Sequence, residues 1–348
     1  MLRNRPNCIF LAVALAAATL WVAATAGRLE VLPPTGPHAV GRTRLAWVDS
    51  SRPERFHPER NREIIAEVWY PAKPGTGQPA TYYPEIARTK DEAVRAGVLS
   101  SLEAWGLGQI LSRARIDADP AQIAAPLPVV LFSPGNGTNV ELYAAHGEEL
   151  ASHGFVVVGV NHPYDVMAVR LMDDTVAGYT STQPGEESNL RVDERAADLR
   201  FILDRMAEMA RDGNALAGRL DLGRVAAMGH SRGGHTAARA CASDARLRSG
   251  INLDGLHAGG PYSTRADEEP PPQPFLYIGK ERTIGARTEE IIAANPHGSL
   301  VSVPNAAHAD FSDGGAFEPR LNPFSASSRR ALDTARRAAR AFLEAQLR

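Results

Sequence analysis

The run Arg224-Val-Ala-Ala-Met-Gly-His-Ser-Arg-Gly-Gly234 carries a short apolar stretch into a Gly-x-Ser-x-Gly pentapeptide, with Gly229, Ser231 and Gly233 at its fixed positions. The apolar residues Val225 to Met228 predict a buried strand, and the Ala-rich run His235 to Ala242 predicts a helix directly after it. A serine delivered on a sharp turn between such a strand and helix is a nucleophile elbow. So tight a turn holds the serine in strained backbone space. The residues two before and two after must then lack bulk, because strand and helix nearly touch there. The bare pattern also arises by chance in chains of this length, so its surroundings have to carry the argument.

Upstream, Pro128 to Phe132 reads as a buried strand that ends at Ser133-Pro-Gly-Asn-Gly137. Glu141 to His153 reads as a helix stopped by Gly154, Phe155 to Val160 as the next strand, and Asn161 to Asp165 as its exit loop. A polar loop, Asp173 to Ser188, leads into a helix over Val192 to Met209 with Ala196, Leu199, Ile202, Leu203 and Met206 on one face. Downstream of the elbow come a strand Ser249 to Leu253 ending at Asp254, a loop over 257–273, and a strand Pro274 to Ile278. A helix Thr288 to Ala294 and a last strand Ser299 to Val303 follow. Strands alternating with helices predict an α/β fold with a mainly parallel sheet and helices on both faces. Before this, Thr43 to Asp49 and Ile64 to Tyr70 predict an antiparallel opening pair, and Pro71 to Pro84 a loop. Residues 85–118 are helix-compatible throughout and are expected to form a lid-like helical insertion or a packing helix pair. The closing helix, Ser328 to Leu347, sets Leu332, Ala335, Ala339, Phe342 and Leu343 on one side. Its other side carries Arg329, Arg330, Arg336, Arg337 and Arg340, a solvated face or a transient membrane-surface contact.

The chain has 348 residues, 44% of them hydrophobic, enough for one large core and without an internal repeat. A net charge of −2 gives no case for a nucleic-acid partner. Residues 1–26 combine Arg3 and Arg5, an apolar run from Ile9 to Ala24, and Ala24-Thr25-Ala26 before Gly27. That is the layout of a secretory signal peptide and implies a secreted or periplasmic protein, with 27–348 as a single catalytic domain. The competing expectation is an uncleaved N-terminal anchor, since Cys8 to Ala26 approaches the roughly 20 residues of a spanning helix. The cysteines are Cys8 and Cys241, so a processed chain keeps one thiol and forms no internal disulfide.

A serine hydroxyl is a weak nucleophile at neutral pH and needs a base in hydrogen-bond reach, oriented by a carboxylate. His308 follows the last strand in a loop of small residues, where an imidazole can reach back over the sheet. His230 adjoins the nucleophile but points elsewhere and is expected to pack. His162 and His257 stand at strand ends and could line the pocket. For the acid, Asp254 and Glu281 both lie at ends of later strands. The oxyanion of acyl transfer needs preorganised N–H donors. The backbone N–H of Arg232, at the start of the elbow helix, is one candidate, and Asn136 in the Gly135-Asn136-Gly137 turn is the other. No metal or cofactor is expected.

With these residues assigned, the chain resembles the plasma-type platelet-activating factor acetylhydrolase family and its bacterial relatives, within the α/β-hydrolase fold. The similar stretches are Pro34-Thr-Gly-Pro37 with Val40-Gly41, Glu67-Val-Trp-Tyr-Pro-Ala72, Pro128 to Gly137, Leu150-Ala-Ser-His-Gly-Phe155, Gly229 to Gly234, Leu253-Asp254 and His308-Ala-Asp-Phe-Ser-Asp313. The resemblance implies a Ser231, Asp254 and His308 triad, with Asn136 and Arg232 at the two oxyanion positions. It also implies metal-independent cleavage of short or oxidised acyl groups from a phospholipid or similar small ester. Two departures stand out: Pro134-Gly135 where the family often has His-Gly, and Arg232 where an aromatic often follows the nucleophile. They leave backbone N–H donation intact and bear on acyl-pocket shape, so the Arg232 side chain is where specificity is expected to differ. A polyester or cutin-type esterase, a general carboxylesterase, and a non-catalytic binding protein on the same fold are the alternatives.

Overall fold

The computed structural model describes residues 31–181, 185–212, 216–255, 270–281, 286–314 and 325–348. The expected signal peptide, Cys8, His257 and nearly all of the 257–273 loop lie outside the described residues. Among the described residues no helix is long and apolar enough to cross a membrane.

A ten-stranded sheet runs β12-β11-β10-β9-β5-β6-β2-β1-β4-β3. Six strands from one edge inward, β5 (Leu127–Ser133), β6 (Val156–Asn161), β9 (Leu220–His230), β10 (Leu247–Leu253), β11 (Phe275–Lys280) and β12 (Gly298–Val303), are parallel to one another. The opening strands β1 (Ala39–Pro53) and β2 (Asn61–Ala72) pair antiparallel, Thr43 opposite Val68, and β2 is antiparallel to β6. The chain therefore adopts the mainly parallel, helix-flanked sheet that its alternating pattern predicts.

Because both faces are covered, the central strands are apolar on both sides. In β5, Val130 and Phe132 face one core while Val129 and Leu131 face the other. On the first face lie α1 (Ile86–Arg95), α2 (Ser101–Leu107), α3 (Ala144–Ser152) and α7 (Ser325–Leu347). On the second lie α4 (Glu186–Arg211), α5 (Arg232–Ser243) and α6 (Ala286–Ala294). The predicted faces of α4 and α7 are the ones buried. Leu332, Ala335, Ala339 and Leu343 are fully covered.

Several expectations need correction. The 85–118 segment is not helical throughout: α1 and α2 end at Leu107, and Leu111–Ile116 forms β4, which pairs with β1 and with β3 (Gln78–Thr81) inside the expected 71–84 loop. Strands this short at the rim of the sheet, β3 at its edge and β4 next to it, carry too little alternation to outweigh their Pro and Gly neighbours in a sequence reading. The 173–188 loop contains β8 (Val176–Gly178), which forms a hairpin with β7 (Ala168–Arg170). Arg336 does not belong to an exposed basic face. It is buried, paired with Asp333 and Glu149, and donates to the carbonyls of Leu32 and Pro33.

The stretches that carry the resemblance are close-packing devices. Trp69 lies against Gly147 and Gly159, where a Cβ would come within 2.7 and 2.9 Å of its ring. Gly41 makes room for the Tyr70 ring, whose hydroxyl donates to the Ala118 carbonyl at 2.7 Å. Thr35 hooks the entry segment onto α3 through Glu149, at 2.9 Å from its N–H and 2.6 Å from its hydroxyl.

One buried carboxylate ties the opening strands to α4. Asp198 accepts from Arg62 at 2.7 Å, Arg52 at 2.9 Å and His162 Nδ1 at 2.8 Å. Burial alone would raise its pKa, but Arg62, His162 and Arg52 outweigh this and hold it well below the usual carboxylate range. Replacing Asp198 with alanine leaves Arg62 and Arg52 short of a buried partner, and the expected loss is about 3–5 kcal/mol of unfolding free energy, read as a lower urea midpoint at unchanged slope.

Candidate active site

The β9 strand ends at His230, and Ser231 follows at φ 54° and ψ −120°, outside the regions an L-residue prefers. Two backbone hydrogen bonds hold it there: Ser231 N–H to the Leu253 carbonyl and Gly234 N–H to the Ser231 carbonyl, both 2.9 Å. The glycines on either side have the predicted steric cause. A Cβ on Gly229 would stand 2.6 Å from the Ser133 carbonyl oxygen, and one on Gly233 would stand 2.6 Å from the Pro134 oxygen and overlap the Ser133 carbonyl outright.

Asp254 follows β10 with φ 45°, its N–H on the Ile278 carbonyl at 2.7 Å. One carboxylate oxygen accepts the Lys280 N–H at 3.2 Å, and the other lies 2.6 Å from His308 Nδ1. The two residues are 54 positions apart in sequence. Glu281 is exposed at the end of β11, and His308 turns to Asp254 instead. The turn carrying His308 is anchored by the residues after it: Asp310 caps the Ala307 N–H at 2.8 Å, and the Phe311 carbonyl meets His146 Nε2 at 3.1 Å. Asp313 lies 3.1 Å from the Tyr82 hydroxyl and caps the Ala145 N–H of α3. Ser231 and His308 form no hydrogen bond to each other in this structure. Such contacts tighten when substrate binds.

The turn after β5 presents a donor. Gly135 N–H goes to the Tyr143 hydroxyl at 3.0 Å and Gly137 N–H to the Asp165 carbonyl at 3.1 Å, with Gly137 at φ 64°. Between them the Asn136 N–H is left uncommitted among the described residues. Arg232 opens α5, where helical N–H groups have no carbonyl four residues back.

The Arg232 side chain, where specificity is expected to differ, is committed to a buried ion pair. It is turned back and buried, its Nη1 2.5 Å from Asn136 Oδ1 and 2.8 Å from Asp165 Oδ1. Asp165 also pairs with Arg191 and Arg195, and Arg195 donates to the Pro134 carbonyl at 2.6 Å. Burial would raise the Asp165 carboxyl, but the three guanidinium groups outweigh it and hold the pKa below the ordinary range. An arginine thus fits beside the nucleophile because a sequence-distant carboxylate receives it. Nothing in the local sequence announces that partner.

His162 is corrected too. It is fully buried between Ser133 Oγ at 3.0 Å and Asp198, with its pKa pushed down to about 4 by burial. Ser133, His162 and Asp198 form a second Ser–His–Asp set, sealed from solvent and without access for a substrate. Cys241 is free and buried, its thiol pushed up to about 12 by burial. No group of residues able to hold a metal ion occurs among the described residues.

The family model for "Platelet-activating factor acetylhydrolase, isoform II" matches residues 27–201 and 202–348. The chain belongs to this family. Among its relatives, the platelet-activating factor acetylhydrolase of Cavia porcellus is 26% identical over 82% of this chain and 70% of its own length. The probable 1-alkyl-2-acetylglycerophosphocholine esterase of Arthroderma benhamiae is 27% identical over 71% of this chain and 64% of its own. A solved structure, the ferulic acid esterase of Streptomyces cinnamoneus, superposes with a TM-score of 0.75 at 27% identity, covering 92% of this chain and 93% of that one. As a member, this protein is a serine carboxylic ester hydrolase on the α/β-hydrolase fold.

The elbow geometry gives a direct test. Gly233→Ala is expected to abolish soluble expression or ester turnover, because its methyl would overlap the Ser133 carbonyl. Gly75→Ala, with nothing within 4 Å, serves as the control and should retain turnover despite its positive φ.

Proposed function

We propose that this family member cleaves short-acyl esters, such as the sn-2 acetyl group of a phospholipid, through a Ser231, His308 and Asp254 triad and an acyl-enzyme. The observation that carries the reading is the 2.6 Å hydrogen bond from His308 to Asp254, formed beside a serine held at the tip of a strained elbow. Asp254 fixes the tautomer with the proton on Nδ1, which leaves Nε2 free to act as base. His308 takes the Ser231 proton during attack on the ester carbonyl, and Asp254 stabilises the imidazolium. The Asn136 and Arg232 N–H groups receive the oxyanion. His308 then protonates the leaving alcohol and activates water to release the acyl group. The reaction needs no metal. The acetylhydrolase names of the relatives support the substrate class, and the leader-like 1–26 sequence supports a secreted or periplasmic site of action.

A second substrate reading, a bulky or polymeric ester, is favoured by one feature. The His308 side chain is 46% exposed, an open setting for a general base. A cutinase of Thermobifida alba, 28% identical over 55% of this chain and 53% of its own length, and the ferulic acid esterase fold match lie in the same direction.

A fluorophosphonate probe should label the wild type on Ser231 and leave Ser231→Ala unlabelled, since Ser133 is sealed. Equal labelling of both proteins, or none of either, removes the enzyme mechanism in favour of a binding role. Asp254→Asn should lower kcat by about 10⁴-fold, as loss of the orienting carboxylate does in such triads, with Glu281→Gln near wild type. The reverse order overturns the acid assignment. Among p-nitrophenyl esters and an acetyl-phospholipid, turnover should fall as the acyl chain lengthens; a preference for long chains or for polyester film supports the second reading.

A further inference from the structure

His230, the residue between the first glycine and the nucleophile, is buried yet makes polar contacts to both catalytic turns. Its Nε2 lies 3.1 Å from the backbone carbonyl of His308 and its Nδ1 2.8 Å from the Tyr143 hydroxyl. The Tyr143 oxygen in turn receives the Gly135 N–H at 3.0 Å. The His230 ring stacks near the rings of His308 and Phe311, at 4.5 and 6.2 Å between centroids.

The proton positions follow from what each group can do. A carbonyl only accepts, so Nε2 carries the hydrogen. Burial, and the nearby His308 ring, hold the His230 pKa well below the usual imidazole range. The ring is therefore neutral and Nδ1 is a bare acceptor. Tyr143 must donate to it, which leaves the Tyr143 oxygen to accept from Gly135. The chain then has one direction: Gly135 N–H to Tyr143, Tyr143 O–H to His230 Nδ1, His230 Nε2–H to the His308 carbonyl. A second proton on His230 would turn Nδ1 into a donor facing Tyr143, whose oxygen would then receive two N–H groups and turn its own proton to Thr138 Oγ1, 3.1 Å away.

We propose that His230 and Tyr143 are positioning residues that lock the His308 turn and the Gly135-Asn136-Gly137 turn into one rigid unit. Neither residue touches substrate. Their effect is to fix the distance between the general base and the oxyanion donor, which lie 172 residues apart (residues 136 and 308). The inference rests on the proposed triad and oxyanion roles.

The test measures kcat and KM for p-nitrophenyl butyrate, with the thermal midpoint, for the full chain as wild type, Tyr143→Phe, His230→Leu, His230→Gln and the Tyr143→Phe/His230→Leu double variant. Tyr143→Phe and His230→Leu should each lower kcat by about 10- to 100-fold in folded protein, with KM within about twofold, as misplacement of reacting groups does. The double variant should lose little more than the worse single one, because either change breaks the same chain. His230→Gln, whose amide can donate to the His308 carbonyl, should recover part of the loss. Unchanged kcat in folded Tyr143→Phe overturns the proposal, as do losses that multiply in the double variant. If His230→Leu does not fold, Tyr143→Phe and His230→Gln decide the matter alone. Failure of the triad reading itself would appear separately, as a wild type that neither turns over the ester nor labels on Ser231.

Discussion

The closest backbone approach at the site, α5 against the end of β5, sets the terms for everything around it. Gly229 and Gly233 allow the two elements to meet at the Ser133 carbonyl, and a methyl at either position would fall inside occupied space. That contact fixes where the chain can turn, and the turn forces Ser231 to φ 54°. A non-glycine residue in such a conformation costs roughly 1–3 kcal/mol. The surroundings over-determine it: β10 supplies the Leu253 carbonyl to the Ser231 N–H, and Gly255 leaves room for the Ser231 carbonyl oxygen, 2.7 Å from where its own Cβ would be. The same contact brings α5's first turn beside the loop that follows β5. Nucleophile, helix N-terminus and the Asn136 turn are thus placed by one packing event.

Polar residues then stiffen what the glycines bring together. Three arginines converge on Asp165, a costly arrangement that buries more positive than negative charge. Desolvation and the neighbouring Arg195 and Arg191 pull the Arg232 pKa down, with Asp165 opposing them. Burial of this kind is seldom justified by stability, since apolar replacements often serve as well. Here it does geometric work. Arg195 holds the Pro134 carbonyl, Arg232 holds the Asn136 side chain, and the Asp165 backbone holds the Gly137 N–H. Preorganised donors are worth most when they need not rearrange as charge develops, and a turn pinned at three points meets that condition.

The fold was legible in the sequence because both periodicities were strong. The short, Pro-flanked apolar run Val129 to Phe132 fits a strand buried on both faces, and the spacing of Ala196, Leu199, Ile202, Leu203 and Met206 fits one face of a helix. Ser231, Asp254, His308 and Asn136 stood out as candidates for a related reason: each follows the carboxyl end of a strand in a parallel sheet, where such sites gather, though Glu281 does so too and the resemblance favoured Asp254 over it. What stayed hidden depended on contacts far apart in sequence. The role of the Arg232 side chain stayed open because its partner Asp165 lies 67 positions away. His230 looked like packing because Tyr143 is 87 positions away. Arg336 looked solvated because its acceptors, Leu32 and Pro33, lie some 300 positions back. The β4 and β3 strands were missed because strands so short are set by pairing more than by their own composition.

The insertion between β3 and β4 bears on the site by support more than by sequence proximity. Its helix α1 packs on the β7–β8 hairpin, close enough that a Cβ on Gly178 would meet the Glu92 side chain at 2.6 Å. The next residue, Tyr179, lies over Gly137 and shares hydrogen bonds with the Asn136 amide, 3.0 Å from Nδ2. A path of direct contacts therefore runs from α1 through the hairpin to the Asn136 turn. On that path Asn136 is held from two sides, by Tyr179 on its outer face and by Arg232 on its inner one. His308, across the site, is held from within by Asp254 and His230 while nearly half of its side chain stays open to solvent. The two halves of the site thus differ in kind. The Asn136 turn is clamped on both faces, whereas His308 is fixed from one side only and faces solvent on the other.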